Sequence, residues 1–265
     1  MSINAYKILE KVREQKPIIH HLTNWVTIYD CANIVKVFGG APVMAHAIEE
    51  VADMAKISSA LVLNIGTLTP EFIESMKMAA KSANEKGIPV VLDVCGVGAT
   101  PLRDQKTFEL LDQVRIDIIK GNASEIARTA GEDVTTRGVD STEVDADMLA
   151  VAKHLATSRK AVVVVTGARD IVTDGTRTFF IENGVSMMTH VVGTGCMAAS
   201  VIGTFAAVSP DLMRACATGL ICYEIAAEIA ASTSDGPGTF KEKLFDAVYH
   251  LNQESVELMQ KVTLL

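Results

Sequence analysis

Short apolar runs that alternate with segments of helical periodicity are the feature that most constrains the fold of this chain. Three of these runs, at residues 60–65, 89–93 and 161–165, lack the regular alternation of polar and apolar residues seen in half-exposed strands. They are typical of strands buried on both faces, as in parallel sheets covered by helices. Helical segments lie between them, so crossover connections are expected. The pattern predicts an α/β fold with three layers: a mostly parallel central sheet and helices on both of its faces.

Weaker signals complete the predicted order of elements. An Asp-Gly turn at Asp174-Gly175 predicts a hairpin over residues 171–180. After Cys196 the pattern predicts only helices. Neither a repeat nor a Pro- or Ser-rich linker divides the chain, so we expect residues 1–265 to form a single domain. The remaining predictions are strands at 18–22 and 116–119, helices at 5–14, 29–38, 49–58, 70–87, 104–114 and 142–158, a helix opened by Asn122, and C-terminal helices at 197–208, 211–231 and 240–259.

Charge and cysteine usage narrow the class of partner and the compartment. The formal net charge of −8 at pH 7 argues against nucleic acid or an anionic membrane as the main partner. Five widely spaced cysteines without a C-x-x-C pair predict a reduced, cytoplasmic protein. The first residues are polar rather than signal-like, and the apolar runs after Cys196 carry or are broken by Pro210, Arg214 and Glu224. We therefore expect core helices and no membrane span.

Polar residues follow several predicted strands, where ligands bind in folds of this type. Asp93 ends a buried strand before a glycine-bearing loop, and its carboxylate suits Mg²⁺, directly or through water. A carboxylate that accepts hydrogen bonds from loop N–H groups fits the same pattern. Thr166-Gly167 closes the valine-rich strand, and the hydroxyl suits a phosphate or simply a turn.

The segment Lys120-Gly121-Asn122 follows another predicted strand. Lys120 offers a positive charge to a triphosphate. Asn122 and Glu125, three residues apart, match a capping box, a structural arrangement that explains both residues without a ligand.

The stretch Gly193-Thr194-Gly195-Cys196 precedes an uncharged run of small apolar residues. We expect a buried helix to begin near Thr194 or Gly195, after glycines that let the backbone approach a ligand. Unpaired N–H groups and partial positive charge at such a helix N-terminus suit a phosphate or a developing anion. Cys196 lies in the first turn, where the pKa of a thiol falls below about 8.5. Glycines that end a strand and a cysteine packed as a hydrophobe would give the same sequence.

Other motifs are excluded or explained by their context. The glycines of this stretch also match a dinucleotide-binding fingerprint, but that motif needs a following strand and an acidic residue about 20 positions on. Only helices are predicted after Cys196, so this motif is excluded. No phosphate-binding G-x-x-x-x-G-K-[ST] motif occurs. Met44 is more often a core residue than a ligand contact, although methionine also lines adaptable pockets. His20 and His21 show no partner pattern, so we interpret both as structural.

Taken together, these stretches resemble the hydroxyethylthiazole kinase family of the ribokinase-like superfamily. They occur in the family's order between residues 18 and 200. Cysteine at the end of the G-T-G-C stretch is the most specific point, because most members of the superfamily carry a catalytic aspartate there. The matching residues are Thr23-Asn24-x-Val26, Ala32-Asn33, 39–45, Glu49-Glu50-Val51, Asp93 with 96–100, Gly121-Asn122-x-x-Glu125, Val165-Thr166-Gly167 and Gly193-Thr194-Gly195-Cys196.

The resemblance implies a ribokinase-like enzyme that transfers the γ-phosphoryl group of ATP to the hydroxyl of 4-methyl-5-(2-hydroxyethyl)thiazole, a step of thiamine salvage. It implies ATP as co-substrate, Mg²⁺ as cofactor and a homotrimer with active sites between subunits. The residues to which it assigns roles are Thr194, Gly195 and Cys196 in catalysis, Asn24, Val26, Met44 and Gly193 in thiazole binding, Lys120, Asn122, Thr166 and Gly167 in ATP binding, and Asp93 and Glu125 in holding Mg²⁺.

Three positions depart from the family pattern, and two rival interpretations remain open. Val94-Cys95 stands where the family usually has Pro-Val, Lys120 where it has arginine, and Asp30 where it has asparagine. Loss of the proline is expected to loosen the loop after Asp93, and lysine cannot make the bidentate phosphate contact of arginine. The rivals are a related kinase acting on a pyridoxal- or hydroxymethylpyrimidine-like alcohol, and a non-catalytic protein that binds thiazole or nucleotide.

Overall fold

A single large sheet forms the centre of the molecule. The computed structural model describes residues 3–132 and 148–265, and its strands are β1 (Ile18–Leu22), β2 (Ala41–Val43), β3 (Ala60–Asn64), β4 (Val90–Asp93), β5 (Ile118–Asn122), β6 (Val162–Thr166), β7 (Asp170–Thr173), β8 (Thr178–Ile181) and β9 (Val262–Leu264). Their order across the sheet is β2-β1-β3-β4-β5-β6-β7-β8-β9. The strands from β2 to β6 pair in parallel, and those from β6 to β9 pair antiparallel. The mostly parallel sheet predicted from the sequence is confirmed.

Helices cover both faces of this sheet. They are α1 (Ala5–Gln15), α2 (Ile28–Phe38), α3 (Val51–Ile57), α4 (Pro70–Lys86), α5 (Pro101–Gln113), α6 (Ala123–Thr129), α7 (Met148–Arg159), α8 (Thr194–Ala206), α9 (Leu212–Ser232), α10 (Pro237–His250) and α11 (Gln253–Met259), with a 3₁₀ turn at Ser186–His190. α4 shows how local sequence sets such bounds. Thr69 caps its first turn, proline fills the first position, and Gly87 ends it with a φ of 79°.

Alternate residues of the central strands supply two apolar cores, one on each face. On β3, Val62 belongs to the core formed with α8 and α9, whereas Leu61 and Leu63 belong to the opposite core formed with α4. α8 lies directly on the sheet, since a Cβ at Gly203 would come within 2.4 Å of Val62 Cγ2. This close packing fixes where the first turn of α8 meets the ends of the strands.

Most predicted elements are confirmed to within a few residues, but the C-terminal part and one edge differ. The predicted helix 240–259 is wrong as a single helix: Leu251 is extended, and Asn252 Oδ1 accepts the N–H of Ser255 at 2.9 Å to start α11. β9 follows, where the pattern predicts only helices, and pairs with β8. The short edge strand β2 is not predicted. The part of the predicted helix 142–158 before Met148 lies outside the described residues.

Among the described residues, α9 is the one helix long and apolar enough to cross a membrane. Of the most apolar stretch of this helix, 78% is buried inside the protein. It packs against α8 and α10 and therefore serves as a core helix here.

Candidate active site

The parallel strands all end at one edge of the sheet, and each brings a candidate site residue to it. We refer to these residues as the strand-end row. Residues expected to bind thiazole lie at one end of the row, and residues expected to bind ATP lie at the other. In spatial order the row consists of Met44 after β2, Asn24 after β1, Asn64 on β3, Asp93 on β4, Lys120 and Asn122 on β5, and Thr166 and Gly167 at the end of β6.

The first turn of α8 meets the middle of this row, and two glycines make the approach sterically feasible. Gly193, the N-cap, has a φ of 97°, and a Cβ there would lie 2.7 Å from Thr27 Cγ2. A Cβ at Gly195 would lie 3.2 Å from the amine of Lys120. Thr194 begins the helix, as predicted, and its hydroxyl donates to the carbonyl of Met188 at 3.0 Å. The backbone N–H groups of this first turn precede the intrahelical ladder.

The sulfur of Cys196 receives side-chain donors from two strands. Asn24 Nδ2 lies 3.3 Å from Cys196 Sγ, and Asn64 Nδ2 lies 3.4 Å from it. The thiol of Cys95 also donates to this sulfur, which lowers the pKa of Cys196 to about 7 despite burial; the charge of Lys120 acts in the same direction. The lowered pKa agrees with the sequence prediction, and the hydrogen bond with the neighbouring thiol is its largest cause.

Asp93, Lys120 and Glu125 form a buried charged group beside Cys196. Lys120 Nζ lies 3.3 Å from Asp93 Oδ1. Burial raises the pKa of both carboxyl groups, and the charge of Lys120 opposes that rise. Burial alone would lower the pKa of Lys120, but the charges of Asp93 and Glu125 outweigh it and raise that pKa. The group therefore keeps Lys120 protonated, and the charge of Lys120 favours ionisation of both carboxyl groups.

The hydrogen bonds that these carboxylates accept leave lone pairs that fit a metal ion held through water. Glu125 accepts the N–H of Gly96 at 2.7 Å and that of Asn122 at 2.8 Å, one on each oxygen. Asp93 accepts Asn64 Nδ2 at 2.7 Å. Each carboxylate oxygen still has a second lone pair for a metal-bound water. Within residues 3–132 and 148–265, no group of three or more His, Cys, Asp or Glu side chains could hold a metal ion by itself.

At the ATP end of the row, several candidate residues also stabilise the fold. Asn122 Oδ1 accepts the N–H of Glu125 at 2.9 Å, so the predicted capping box is confirmed. The N–H of Gly167 donates to Asp170 Oδ1 at 2.9 Å, and the hydroxyl of Thr166 donates to the carbonyl of Gly121 at 3.4 Å. These bonds fix the strand ends at which a nucleotide is expected. ATP binding by these residues stays a prediction.

The thiazole end of the row carries an exposed apolar surface. Trp25, Val26, Tyr29 and Val192, which we call the apolar rim, are 49%, 69%, 76% and 72% exposed. The contact of Gly193 with Thr27 brings the two loops of this rim together. Met44 is half-buried in the loop after β2. Val26 and Met44 thus lie at the expected edge, but thiazole binding by them stays a prediction.

The three departures from the family pattern have local explanations. The N–H of Val94 donates to the carbonyl of Lys120 at 2.9 Å, a bond that proline could not make, so the loop after Asp93 is anchored rather than loosened. Asp30 pairs with Lys241 at 2.8 Å and joins α2 to α10. The amine of Lys120 lies against the first turn of α8, where a Cβ at position 195 would come within 3.2 Å of it.

Two site residues, Asn64 and Cys95, are not predicted from the sequence. Asn64 ends β3 as Asp93 ends β4, and a polar residue at the end of an apolar strand was the available signal. Cys95 carried no such signal. The two histidines make hydrogen bonds within the fold, and their structural role stays a prediction: His20 Nε2 bonds the carbonyl of Ala45 at 2.8 Å, and His21 Nε2 bonds Ser200 Oγ at 3.1 Å.

Comparisons with known proteins point to one family and one fold. A model of the hydroxyethylthiazole kinase family matches residues 9–254. A hydroxyethylthiazole kinase of Methanosarcina mazei is 57% identical over 254 residues, covering 96% of this chain and 97% of that protein. The solved structure of a hydroxyethylthiazole kinase from Pyrococcus horikoshii is 37% identical in sequence and has a TM-score of 0.90. The match covers 98% of this chain and 98% of that one. A pyridoxal kinase of Bacillus subtilis, 16% identical over 80% of this chain and 91% of that one, has a TM-score of 0.62 and shares the ribokinase-like fold.

Proposed function

This chain belongs to the hydroxyethylthiazole kinase family, whose activity is phosphoryl transfer to an alcohol, and we propose that the strand-end row is where the transfer takes place. The reaction moves the γ-phosphoryl group of ATP to the hydroxyl of 4-methyl-5-(2-hydroxyethyl)thiazole. The observation that carries the assignment is the meeting of Asn24, Asn64, Asp93 and Lys120 around Cys196 at the first turn of α8. It supplies a candidate base, fixed positive charge and carboxylates within one small volume.

Charge on the moving phosphoryl group is stabilised by the first turn of α8 and by Lys120. The N–H groups from Thr194 to Cys196 point out of the helix N-terminus, where an anion is favoured. Gly195 lets the Lys120 amine come close to this turn. Phosphoryl transfer depends mainly on such positioning and charge neutralisation.

Cys196 accepts the proton of the substrate hydroxyl. The alcohol oxygen forms a bond to the γ-phosphorus, the bond to the β,γ-bridging oxygen breaks, and the proton moves to the Cys196 sulfur as ADP leaves. A thiol with a pKa of about 7 is ionised in a large fraction of molecules at neutral pH. The loose transition state makes this help modest and late.

Asp93 and Glu125 would hold Mg²⁺. Their carboxyl groups and the protonated Lys120 form the charged group that the cation would join. When bound, Mg²⁺ neutralises phosphate charge. Lys120, Asn122, Thr166 and Gly167 bind the phosphates of ATP, and the lysine does so as a point charge rather than as a bidentate partner.

Asn24, Val26, Met44 and Gly193 form the wall of the thiazole pocket that this chain supplies. Val26 is 69% exposed, so a ring lying on it needs a second wall. The apolar rim supports a homotrimer in which a neighbouring subunit provides that wall. We place this single-domain enzyme in the cytoplasm, on the basis of its reduced cysteines.

The experiment that tests the function is ADP release from Mg·ATP with hydroxyethylthiazole, with pyridoxal and hydroxymethylpyrimidine as control alcohols. Turnover with the thiazole alone is the expected result, with thiazole phosphate identified by mass spectrometry. Turnover only with a control alcohol would reassign the pocket, and nucleotide binding without turnover of any alcohol would contradict the kinase activity.

A further inference from the structure

The side chain of Asn64 uses all of its hydrogen-bonding capacity. Its Oδ1 accepts the backbone N–H of Gly66 at 2.9 Å and Asn24 Nδ2 at 3.0 Å. A backbone N–H can only donate, so the atom that faces Gly66 must be the amide oxygen. The orientation of the amide is therefore fixed by chemistry, and its NH₂ group faces Asp93 Oδ2 at 2.7 Å and Cys196 Sγ at 3.4 Å.

The same reasoning fixes the orientation of Asn24. Its Oδ1 accepts the backbone N–H of Thr27 at 3.0 Å and the hydroxyl of Thr27 at 3.1 Å. Its NH₂ group consequently donates to Asn64 Oδ1 and to Cys196 Sγ, the latter at 3.3 Å. Both asparagines are at least 97% buried, so water does not compete for these bonds.

We propose that Asn64 is a positioning residue that, together with Asn24, presents the Cys196 sulfur to the substrate hydroxyl as a hydrogen-bond acceptor. The inference rests on the proposed function for the identity of that hydroxyl. With two N–H groups directed at it, the sulfur is favoured as a thiolate, since donors stabilise the charged form. The thiol of Cys95, Asp93, Lys120 and the hydroxyl of Thr27 also act on this sulfur, and Cys31 and Tyr223 lie within electrostatic range of it. Asn64 also joins the sulfur to Asp93, so base and carboxylate keep a fixed relation.

The test is the pH dependence of Cys196 alkylation by iodoacetamide, in the full-length protein without ATP or thiazole. Mass spectrometry of the Cys196 peptide separates it from the other four cysteines. In Asn64→Leu, which removes the donor without adding charge, the midpoint should rise by about one pH unit, and the alkylation rate at pH 7 should fall about fivefold. Asn64→Asp keeps the acceptor for Gly66 and should raise the midpoint further.

Asn84→Leu is the matched control, because Asn84 bonds the backbone of Arg115, away from the row; its midpoint should equal that of the wild type. If Asn64→Leu does not fold, Asn24→Leu removes the other donor and should raise the midpoint in the same way. Unchanged midpoints in folded variants of Asn64 and Asn24 would overturn the proposal. A wild-type protein that does not phosphorylate the thiazole would refute the proposed function, yet the alkylation result would still stand.

Discussion

The middle of the strand-end row and the apolar rim at its thiazole end lie side by side but are built very differently. Around Cys196, Asn64 and Asp93 the polar groups are buried and bonded to one another. In the rim, Val26 and Val192 expose more than two thirds of their surface. Buried, oriented groups cost no reorganisation during the reaction. On the proposed function, one chain preassembles the chemistry, and we propose that recognition of the ring uses a second surface.

Removing the charge of Asp93 from the middle of the strand-end row should have the largest effect on activity. Asp93→Asn should lower kcat/KM by about 10²–10³-fold, because it removes one of the two carboxylates proposed to hold the Mg²⁺ that neutralises phosphate charge. Steady-state kinetics measure this. Asp117→Asn is the matched control: Asp117 binds the N–H of Val90 at the opposite edge of the sheet, and its activity should stay near that of the wild type. An Asp93→Asn enzyme with more than half of the wild-type activity would contradict the view that the middle of the strand-end row carries the chemistry.

Removing the candidate base should have a smaller effect. Cys196→Ala should fold normally and lower kcat by about 10–100-fold, towards the low end for a general base because the transition state is loose. Cys216→Ala, a change of a cysteine buried in α9, should leave kcat unchanged. Equal turnover in Cys196→Ala and wild type would remove Cys196 from the base role.

The free energy of unfolding tests the close approach of Gly193 to Thr27, which brings the two loops of the apolar rim together. Gly193→Ala forces a φ of 97° on alanine and places its Cβ 2.7 Å from Thr27 Cγ2, so the free energy of unfolding should fall by about 1–3 kcal/mol. Gly87→Ala has a similar φ of 79° with nothing within 4 Å, and it should cost less. Urea denaturation compares the two. Equal losses would show that the Thr27 contact has no energetic weight.

Changes in the rim should have the smallest effect on the isolated subunit. Val26→Ser and Val192→Ser should weaken association and raise KM for the thiazole several-fold, while unfolding free energy changes by less than about 0.5 kcal/mol. Sedimentation velocity measures the assembly. Leu258→Ser, an equally exposed apolar position on α11, is the control. Rim variants that assemble and bind thiazole like the wild type would show that the ring is recognised within one chain.

The sequence predicts the parallel sheet and the start of α8 because both follow from local patterns. Long apolar runs indicate buried strands, and two glycines before a small apolar run indicate a helix terminus. β2 and β9 are missed because three-residue edge strands depend on their neighbours. The break at Leu251 is missed because the apolar periodicity of α10 continues across it.

The site is predicted less completely because its bonds join distant residues. Asp93 and Cys196 could be named from motifs, but the link between them runs through Asn64, whose role depends on contacts 29 and 132 positions away in sequence. Cys95 appears in the sequence only as one of five widely spaced cysteines, next to the Val94 that replaces the usual proline, yet its thiol has the largest effect on the pKa of Cys196. Such effects follow from the packing of loops on strand ends.

The most direct test of the preassembled site is the pH profile of kcat/KM for the thiazole in wild type and Cys196→Ala. The pKa of Cys196 is lowered to about 7, and the thiolate is the active form, so wild-type activity should fall as pH decreases through about 7 and level off above it. The alanine variant should be slower and lack this limb. The same limb in both enzymes would contradict a site organised around the Cys196 thiolate.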